Sequence, residues 1–471
     1  MFDDSFLPGF GDLAGPGRLG KFLQAAKACT LSRIEERLSG FLPAGLLAEP
    51  SPTERPYSGR RTFWCLVFQM LSGNASCDEV VRQLQAMLSL VSPEHKPLCP
   101  GNSAYCQARA RLPELLLEQA IEQGARSASQ LAAAPGILPG KRLLLVDGTT
   151  VALPDTPENQ AEFPQPRFQK KGCGFPLMRV LALCLLKGGA VLKTAVGNYC
   201  QHELRLMREF MAVLGPGDVV VYDRIAGNYA VAARLKEQGA DLISRVAKRK
   251  TDFRKGKRLG KDDALFEWPK GAVKSPYLSQ EEWDRLPAIL QVRVIRVWIG
   301  DKCFRSRRIF LVTTLLDPLL YPAEQIAQAY LYRWRIELCM KDLKITLGMD
   351  KLRCLKPDTV KRELYGILIA YNLVRCVMAQ AARTYAVPIE RISVKGTIDS
   401  FRHFAAAMAQ ARSAKIRRQL WDRLLLTLAR HTVPLRPGRR EPRVVKRRPK
   451  NYPRMTKPRH QYRHFRALNA Y

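Results

Sequence analysis

Acidic residues are scarce in this 471-residue chain: 42 Asp and Glu stand against 77 Lys and Arg, a formal net charge of +35. So large a deficit of negative charge points to polyanionic partners, nucleic acid first. No Cys-x-x-Cys pair occurs among the twelve cysteines, which speaks against zinc ribbons and thioredoxin-like redox motifs. No apolar run approaches the roughly 18 to 20 residues that span a bilayer, and Met1-Phe2-Asp3-Asp4 is acidic where a signal peptide is basic. The expectation is a cytoplasmic protein with reduced thiols and no membrane partner. No internal repeat or heptad pattern is evident either. What is present is a hydrophobic share of 46%, the globular norm. The length suffices for two or three domains with a large core, so neither disulfides nor a structural metal are needed for stability.

Three zones separate by pattern. Residues 1–134 read as helical, with apolar residues at helical spacing in Thr62–Met70, Cys77–Leu90 and Leu112–Ala125. Residues 135–430 change character at once: Leu143-Leu144-Leu145-Val146 is a continuous apolar run of strand length that ends in Asp147. Leu177–Leu186 and Ala190–Gly197 read as strands joined by a Lys187-Gly188-Gly189 turn. A helix is expected over Glu203–Leu214, and Asp218-Val219-Val220-Val221-Tyr222 as a short strand ending in Asp223. Strand alternation with basic insertions runs from Leu242 to Thr314, and Pro322 then starts one helix over Ala323–Leu347, stopped by Gly348. From His431 to Tyr471, 13 Lys and Arg stand against the single Glu441 among six prolines, the pattern of a basic arm that is unfolded when alone. Removing that arm's +12 leaves +23, so the body of the protein is basic too.

Asp147 and Asp223 each close an apolar run, which places a carboxylate at the strand edge where ligand and metal sites gather in α/β sheets. Singly, each also reads as a helix cap or turn residue; as a pair they suggest a shared cation. In the helix after Pro322, Tyr330, Arg333, Glu337 and Lys344 stand at offsets of 0, 3, 7 and 14. At about 100° per residue they fall within an arc of about 60°. The plain alternative is an exposed face with one Arg333–Glu337 pair worth about 0.2 to 0.5 kcal/mol. The neighbours Trp334, Ile336, Leu338 and Leu343 indicate a packed helix, so part of the stripe should face inward.

The run Tyr330-Leu331-Tyr332-Arg333-Trp334-Arg335-Ile336-Glu337, with Lys344 seven residues on, resembles the Tyr-Arg-Glu-Lys motif of the insertion-sequence-four family of bacterial DDE transposases. Val146-Asp147-Gly148-Thr149 resembles that family's first acidic motif and Gly217–Arg224 its second; Ala370-Tyr371-Asn372-Leu373 and Ala108–Leu112 also fit. The resemblance spans roughly residues 60 to 385. It implies an α/β fold with a ribonuclease H-like catalytic domain, an inserted β-rich subdomain at about 242–314, a helical DNA-binding region before it and the basic arm after it. It further implies that Asp147, Asp223 and Glu337 are catalytic and bind two divalent ions, magnesium with manganese as substitute. Tyr330, Arg333 and Lys344 would hold DNA phosphates. The implied partners are double-stranded DNA, as terminal inverted repeats and target, and a second copy of the chain in the DNA complex. The implied location is cytoplasmic and nucleoid-associated.

The basic residues Arg245, Lys248, Arg249, Lys250, Arg254, Lys255, Lys257, Arg258 and Lys261 suit DNA, and a solvated loop is an equal reading. Some relatives stack a flipped base on a tryptophan of the insertion. Here Ile309-Phe310 falls at that place and Trp298 lies further back, so no stacking residue is carried over. His202, Arg224, Asp155 and Asp342 stay outside the catalytic set. Two rivals share the scaffold: a nuclease that cuts without joining, and an inactive domesticated DNA-binding protein.

Overall fold

The structure, a computed structural model, describes residues 30–47, 57–91, 98–133, 136–247, 252–299, 307–411, 413–434, 455–458 and 461. It is a mixed α/β protein built on one nine-stranded sheet in the order β3-β2-β1-β4-β5-β9-β8-β7-β6. The strands are β1 (Arg142–Ala152), β2 (Leu177–Leu185), β3 (Val191–Asn198), β4 (Asp218–Tyr222), β5 (Asp241–Val246), β6 (Lys257–Gly260), β7 (Asp263–Pro269), β8 (Ile289–Ile299) and β9 (Arg307–Thr313). β1, β4 and β5 run parallel, while β2 and β3 are antiparallel to their neighbours. Continuous apolar runs suit strands covered on both faces. Leu143, Leu145, Val219 and Val221 pack into one core, and Leu144, Val146, Val220 and Tyr222 into another on the opposite face.

Helices Thr30–Leu38, Gly59–Leu71, Cys77–Val91, Ser103–Arg111 and Glu114–Leu131 occupy the described part of the first zone. Glu114–Leu131 packs on the 28-residue helix Pro357–Thr384. The longer helix is long and apolar enough to cross a membrane, but 89% of its most apolar window is buried inside the protein, so it is a core helix. Asn372, fully buried at its centre, donates to Ile121 O and Val191 O at 2.8 Å and accepts from Val191 N at 2.9 Å. One side chain thus pins both helices to β3. The turn between β2 and β3 needs Gly188 and Gly189, which sit at φ of 87° and 67°.

Three expectations change on contact with the structure. β1 does not stop at Asp147 but continues to Ala152, because β2 pairs with it along that whole length. The helix from Glu203 ends at Leu206 and goes over into a tighter 3-10 turn, Met207–Val213. The helix expected over Ala323–Leu347 divides into Ala323–Leu331 and Trp334–Lys341, followed by a wide π turn at Asp342–Thr346. At the break Arg333 N bonds Tyr330 O and Arg335 N bonds Tyr332 O, three residues back instead of four. Strands β6 to β9, from the 242–314 interval, continue the same hydrogen-bonded sheet through the β5–β9 pairing. Lys248, Arg249, Lys250 and most of the basic arm lie outside the described residues.

At the opposite edge from Asp147, the buried Asp241 carboxylate opens β5 and accepts from Lys141 Nζ (2.9 Å), Lys236 Nζ (3.1 Å) and Thr314 Oγ1 (2.8 Å). Burial alone would raise this carboxyl, but those partners together hold it below its ordinary range. A depressed folded pKa contributes stability above the unfolded value, about 3.9, and loses it as pH falls through the folded one. Asp241→Ala should therefore lower the unfolding free energy by about 3 to 5 kcal/mol at neutral pH. The deficit should shrink in urea titrations below about pH 4, whereas an equal deficit at both pH values would contradict this account.

Candidate active site

The parallel register brings the two aspartates together. The last paired residues of β1 and β4 are Leu145 and Val221, and Asp147 and Asp223 each lie two residues further on. Adjacent strands are about 4.8 Å apart, so both carboxylates leave the sheet at the same level. β4 ends there; Asp223 becomes a cap, its Oδ1 accepting from Ile225 N at 2.9 Å. Asp147 Oδ1 accepts from Gly148 N at 3.0 Å. Burial pushes the Asp147 carboxyl up to about 6, against the pull of the Gly148 amide and the Arg333 guanidinium, and Glu337 and Glu203 add repulsion.

Glu337 comes to this edge from the Trp334–Lys341 helix, with Arg333 beside it. Arg333 Nη2 donates to Glu337 Oε1 at 2.8 Å, and the same guanidinium lies in the field of Asp147 and Tyr330. Tyr330 is buried, which raises its hydroxyl, while Arg333 and Arg245 oppose that rise. Lys344 Nζ reaches across to Thr150 O on β1 at 3.1 Å. The stripe therefore faces inward in part, with Arg333 as the resident counter-charge of Glu337. The other side of the same helix carries Trp334 and Leu338, exposed at 50% and 60%.

Glu203 escaped the reading of the sequence, though it stands beside His202. Its Oε2 accepts from the Tyr222 hydroxyl at 2.9 Å and its Oε1 lies 3.6 Å from Arg179 Nη1. A Cβ added to Gly148 would stand 2.7 Å from the Glu203 carboxyl, so that carboxyl rests directly on the backbone next to Asp147. It touches the chain neighbours of both aspartates, Gly148 and Tyr222. The legible signal was Gly148 itself, since a glycine beside an acid marks a close approach.

Among the described residues, no three acidic, imidazole or thiol groups are gathered closely enough to enclose a metal ion. Glu337 is engaged by Arg333 and Asp223 by its capping amide. The donor chemistry nevertheless fits a hard divalent cation: carboxylate oxygens in a partly buried site with surplus negative charge. Of the residues set aside, His202 caps a helix through Leu204 N and stacks on Tyr277 at 4.4 Å. Asp155 accepts from Gln160, and Asp342 lines a separate cavity of about 270 Å³ with Arg375. Ile309 and Phe310 are buried, while Trp298 is exposed beneath Arg308, whose guanidinium is 4.8 Å from the ring centre.

Gly148→Ala tests the role of Glu203. The added methyl meets only the end of a flexible side chain, so stability should fall by about 1 kcal/mol, the worth of one hydrogen bond. Moving a group that supports ligands costs roughly 10- to 100-fold in metal affinity, and manganese titration followed by electron paramagnetic resonance should read that loss. Unchanged affinity would leave Glu203 without influence on the aspartates.

Residues 138–373 match the family described as Transposase DDE domain. The chain is similar to the transposase InsG of insertion sequence element IS4 from Escherichia coli K12, at 26% identity over 395 residues, covering 83% of this chain and 85% of that protein. A shorter stretch of 64 residues is 41% identical to the transposase of insertion sequence element IS421 from Escherichia coli, covering 14% of this chain and 17% of that protein. A solved piggyBac transposase synaptic complex with hairpin DNA aligns over 86% of this chain and 84% of its own, at 11% identity and a TM-score of 0.37, too low to carry an argument. The Asp147 strand, the Asp223 strand and the Glu337 helix all fall within the matched segment, and the chain belongs to the DDE transposases of the insertion-sequence-four family, enzymes that cleave DNA and transfer its strands.

Proposed function

We propose that Asp147, Asp223 and Glu337 are the catalytic acids of a cut-and-paste insertion-sequence transposase, on a ribonuclease H-like core formed by β3-β2-β1-β4-β5. The observation that carries this reading is the shared level of Asp147 and Asp223 on parallel strands, with Glu337 acting on Asp147 from the facing helix. The three carboxylates would hold two magnesium ions, or manganese in their place. When bound, such a pair activates the attacking oxygen and neutralises the leaving oxygen of an in-line phosphodiester displacement. The chain's own groups do the rest. Glu203 and Tyr222 hold the backbone of the two aspartates in place. Arg333 keeps Glu337 neutralised until a phosphate, an equally good bidentate partner for guanidinium, takes its place and frees the carboxylate. Lys344 and Tyr330 steady the backbone phosphates near the cut. Double-stranded DNA, as terminal repeats and target, is the substrate, bound by a dimer of the chain in the cytoplasm at the nucleoid; the net charge of +35 supports it.

Asp147→Ala, Asp223→Ala and Glu337→Ala should each abolish magnesium-dependent cleavage of end-bearing DNA while leaving DNA binding nearly intact. Near wild-type cleavage in any one of them would remove that residue from the set. Arg333→Ala and Lys344→Ala should instead be graded, because a charged hydrogen bond contributes roughly 1.5 to 3 kcal/mol, about ten- to a hundredfold in rate. Single-turnover cleavage separates the two classes as all-or-none against graded loss, and a magnesium titration should rescue neither Arg333→Ala nor Lys344→Ala. Formation of joined strands in the same reaction distinguishes transposition from plain nuclease activity.

A further inference from the structure

The connector between β1 and β2 leaves the sheet at the end of β1, five residues beyond Asp147 and two beyond the Thr150 carbonyl that Lys344 holds. Within it, Phe168 and Phe175 are exposed at 79% and 62%. Between them stand Lys170 and Lys171, with Arg167 just before, and no acidic residue occurs from Pro164 to Phe175.

This loop is held by its own side chains. Gln165 Oε1 accepts from Gly172 N and Gly174 N at 3.0 and 3.3 Å, and Gln165 Nε2 donates to Gln169 O and Lys170 O at 3.2 and 2.9 Å. Gln160 in turn bonds Gln165 N at 3.1 Å and Gly174 O at 3.0 Å. One glutamine thus closes the loop on itself from inside, and the phenyl rings are presented outward with their backbone already ordered. Beside them, Met455 and Lys457 of the basic arm share a cavity of about 1150 Å³ with Lys170, Lys171, Phe175 and the single carboxylate Asp155. The arm lies directly on the loop: a Cβ on Gly172 would come within 3.0 Å of Pro458.

Exposed aromatic faces separated by cations form the surface that binds nucleic acid through its bases, because every base offers a π face and every step a phosphate. A protein contact would be poorer in lysine, and a paired duplex keeps its base faces inside its own stack. We propose that residues 165–175 form a stacking platform for unpaired DNA bases, with Phe168 and Phe175 as the stacking faces and Arg167, Lys170 and Lys171 as the phosphate contacts. The platform rests on the reading of this edge as one that handles DNA, and it adds the feature of DNA that it recognises: strands opened near the cut.

The test uses the full chain in EDTA, where no cleavage competes. The probes are a blunt duplex and the same duplex carrying three unpaired bases, one of them 2-aminopurine. The unpaired probe should bind more tightly, with a change in 2-aminopurine fluorescence. Phe168→Ala and Phe175→Ala should each weaken it by about tenfold while blunt-duplex affinity stays within about twofold. Gln165→Ala should reproduce the loss by releasing the loop. Lys170→Ala with Lys171→Ala should weaken both probes and flatten the salt dependence by about 0.9 per lost contact. Equal binding of the two probes by the wild type, or phenylalanine variants that keep full affinity for the unpaired probe, would overturn the platform. A change in self-association by sedimentation with DNA affinities unaltered would do the same and assign the patch to a protein contact. Failure to bind either probe would undo the reading of this edge as one that handles DNA along with the platform, whereas intact duplex binding without the preference would undo the platform alone.

Discussion

Parallel pairing of β1 with β4 is the constraint on which the remainder of the site depends. Each strand must satisfy its backbone groups along the shared ladder, and Leu145 opposite Val221 sets the register. Once that pairing is made, Asp147 and Asp223 have no freedom to stand at different depths. β4 ends and β1 does not, so the edge is a step: one acid caps a turn, the other stays on a strand still supported by β2. A slip of a single residue in either strand would turn that strand's acid to the opposite face and bring Val146 or Tyr222 into its place.

The second organising effect is electrical. Burial makes the Asp147 carboxyl hard to ionise, and Glu337 and Glu203 add repulsion to it. The protein relieves part of this with fixed cations, Arg333 on Glu337 and Arg179 near Glu203. Such a site is complete only when something positive joins it, and it is surrounded by a body whose charge attracts the phosphates that would come with that cation.

The parts legible in the sequence were those that local chemistry decides. An apolar run buried on both faces announced β1 and β4, and the acid after each run marked the edge. Glycines at positive φ announced the β2–β3 turn. Other features depended on partners far along the chain. The extension of β1 through Gly148-Thr149-Thr150 is half-buried and polar, and only its pairing with β2 makes it a strand. The break at Tyr332-Arg333 was hidden because apolar spacing continues across it while the hydrogen bonds tighten. Glu203 reads only as a helix start beside His202, because its partners, Gly148 and Tyr222, stand on strands elsewhere in the chain. Gln165 carries no mark in the sequence of the four side-chain bonds that close its loop.

The single nine-stranded sheet has a geometric consequence. Neighbouring strands rotate by roughly 20 to 25°, and nine strands make eight such steps. The accumulated rotation is about 160 to 200°, close to a half-turn between the β3 edge and the β6 edge. About five of those steps separate β1 and β4 from the β7–β6 hairpin, where Lys257 and Arg258 stand exposed, so the face turns by about 100 to 125° between them. A straight duplex cannot follow one face of such a sheet from end to end. On the proposed reading, DNA lying across the acids would reach the distal basic hairpin only by bending or by passing over the sheet's edge, and a sheet with the usual twist would then give its substrate a curved path.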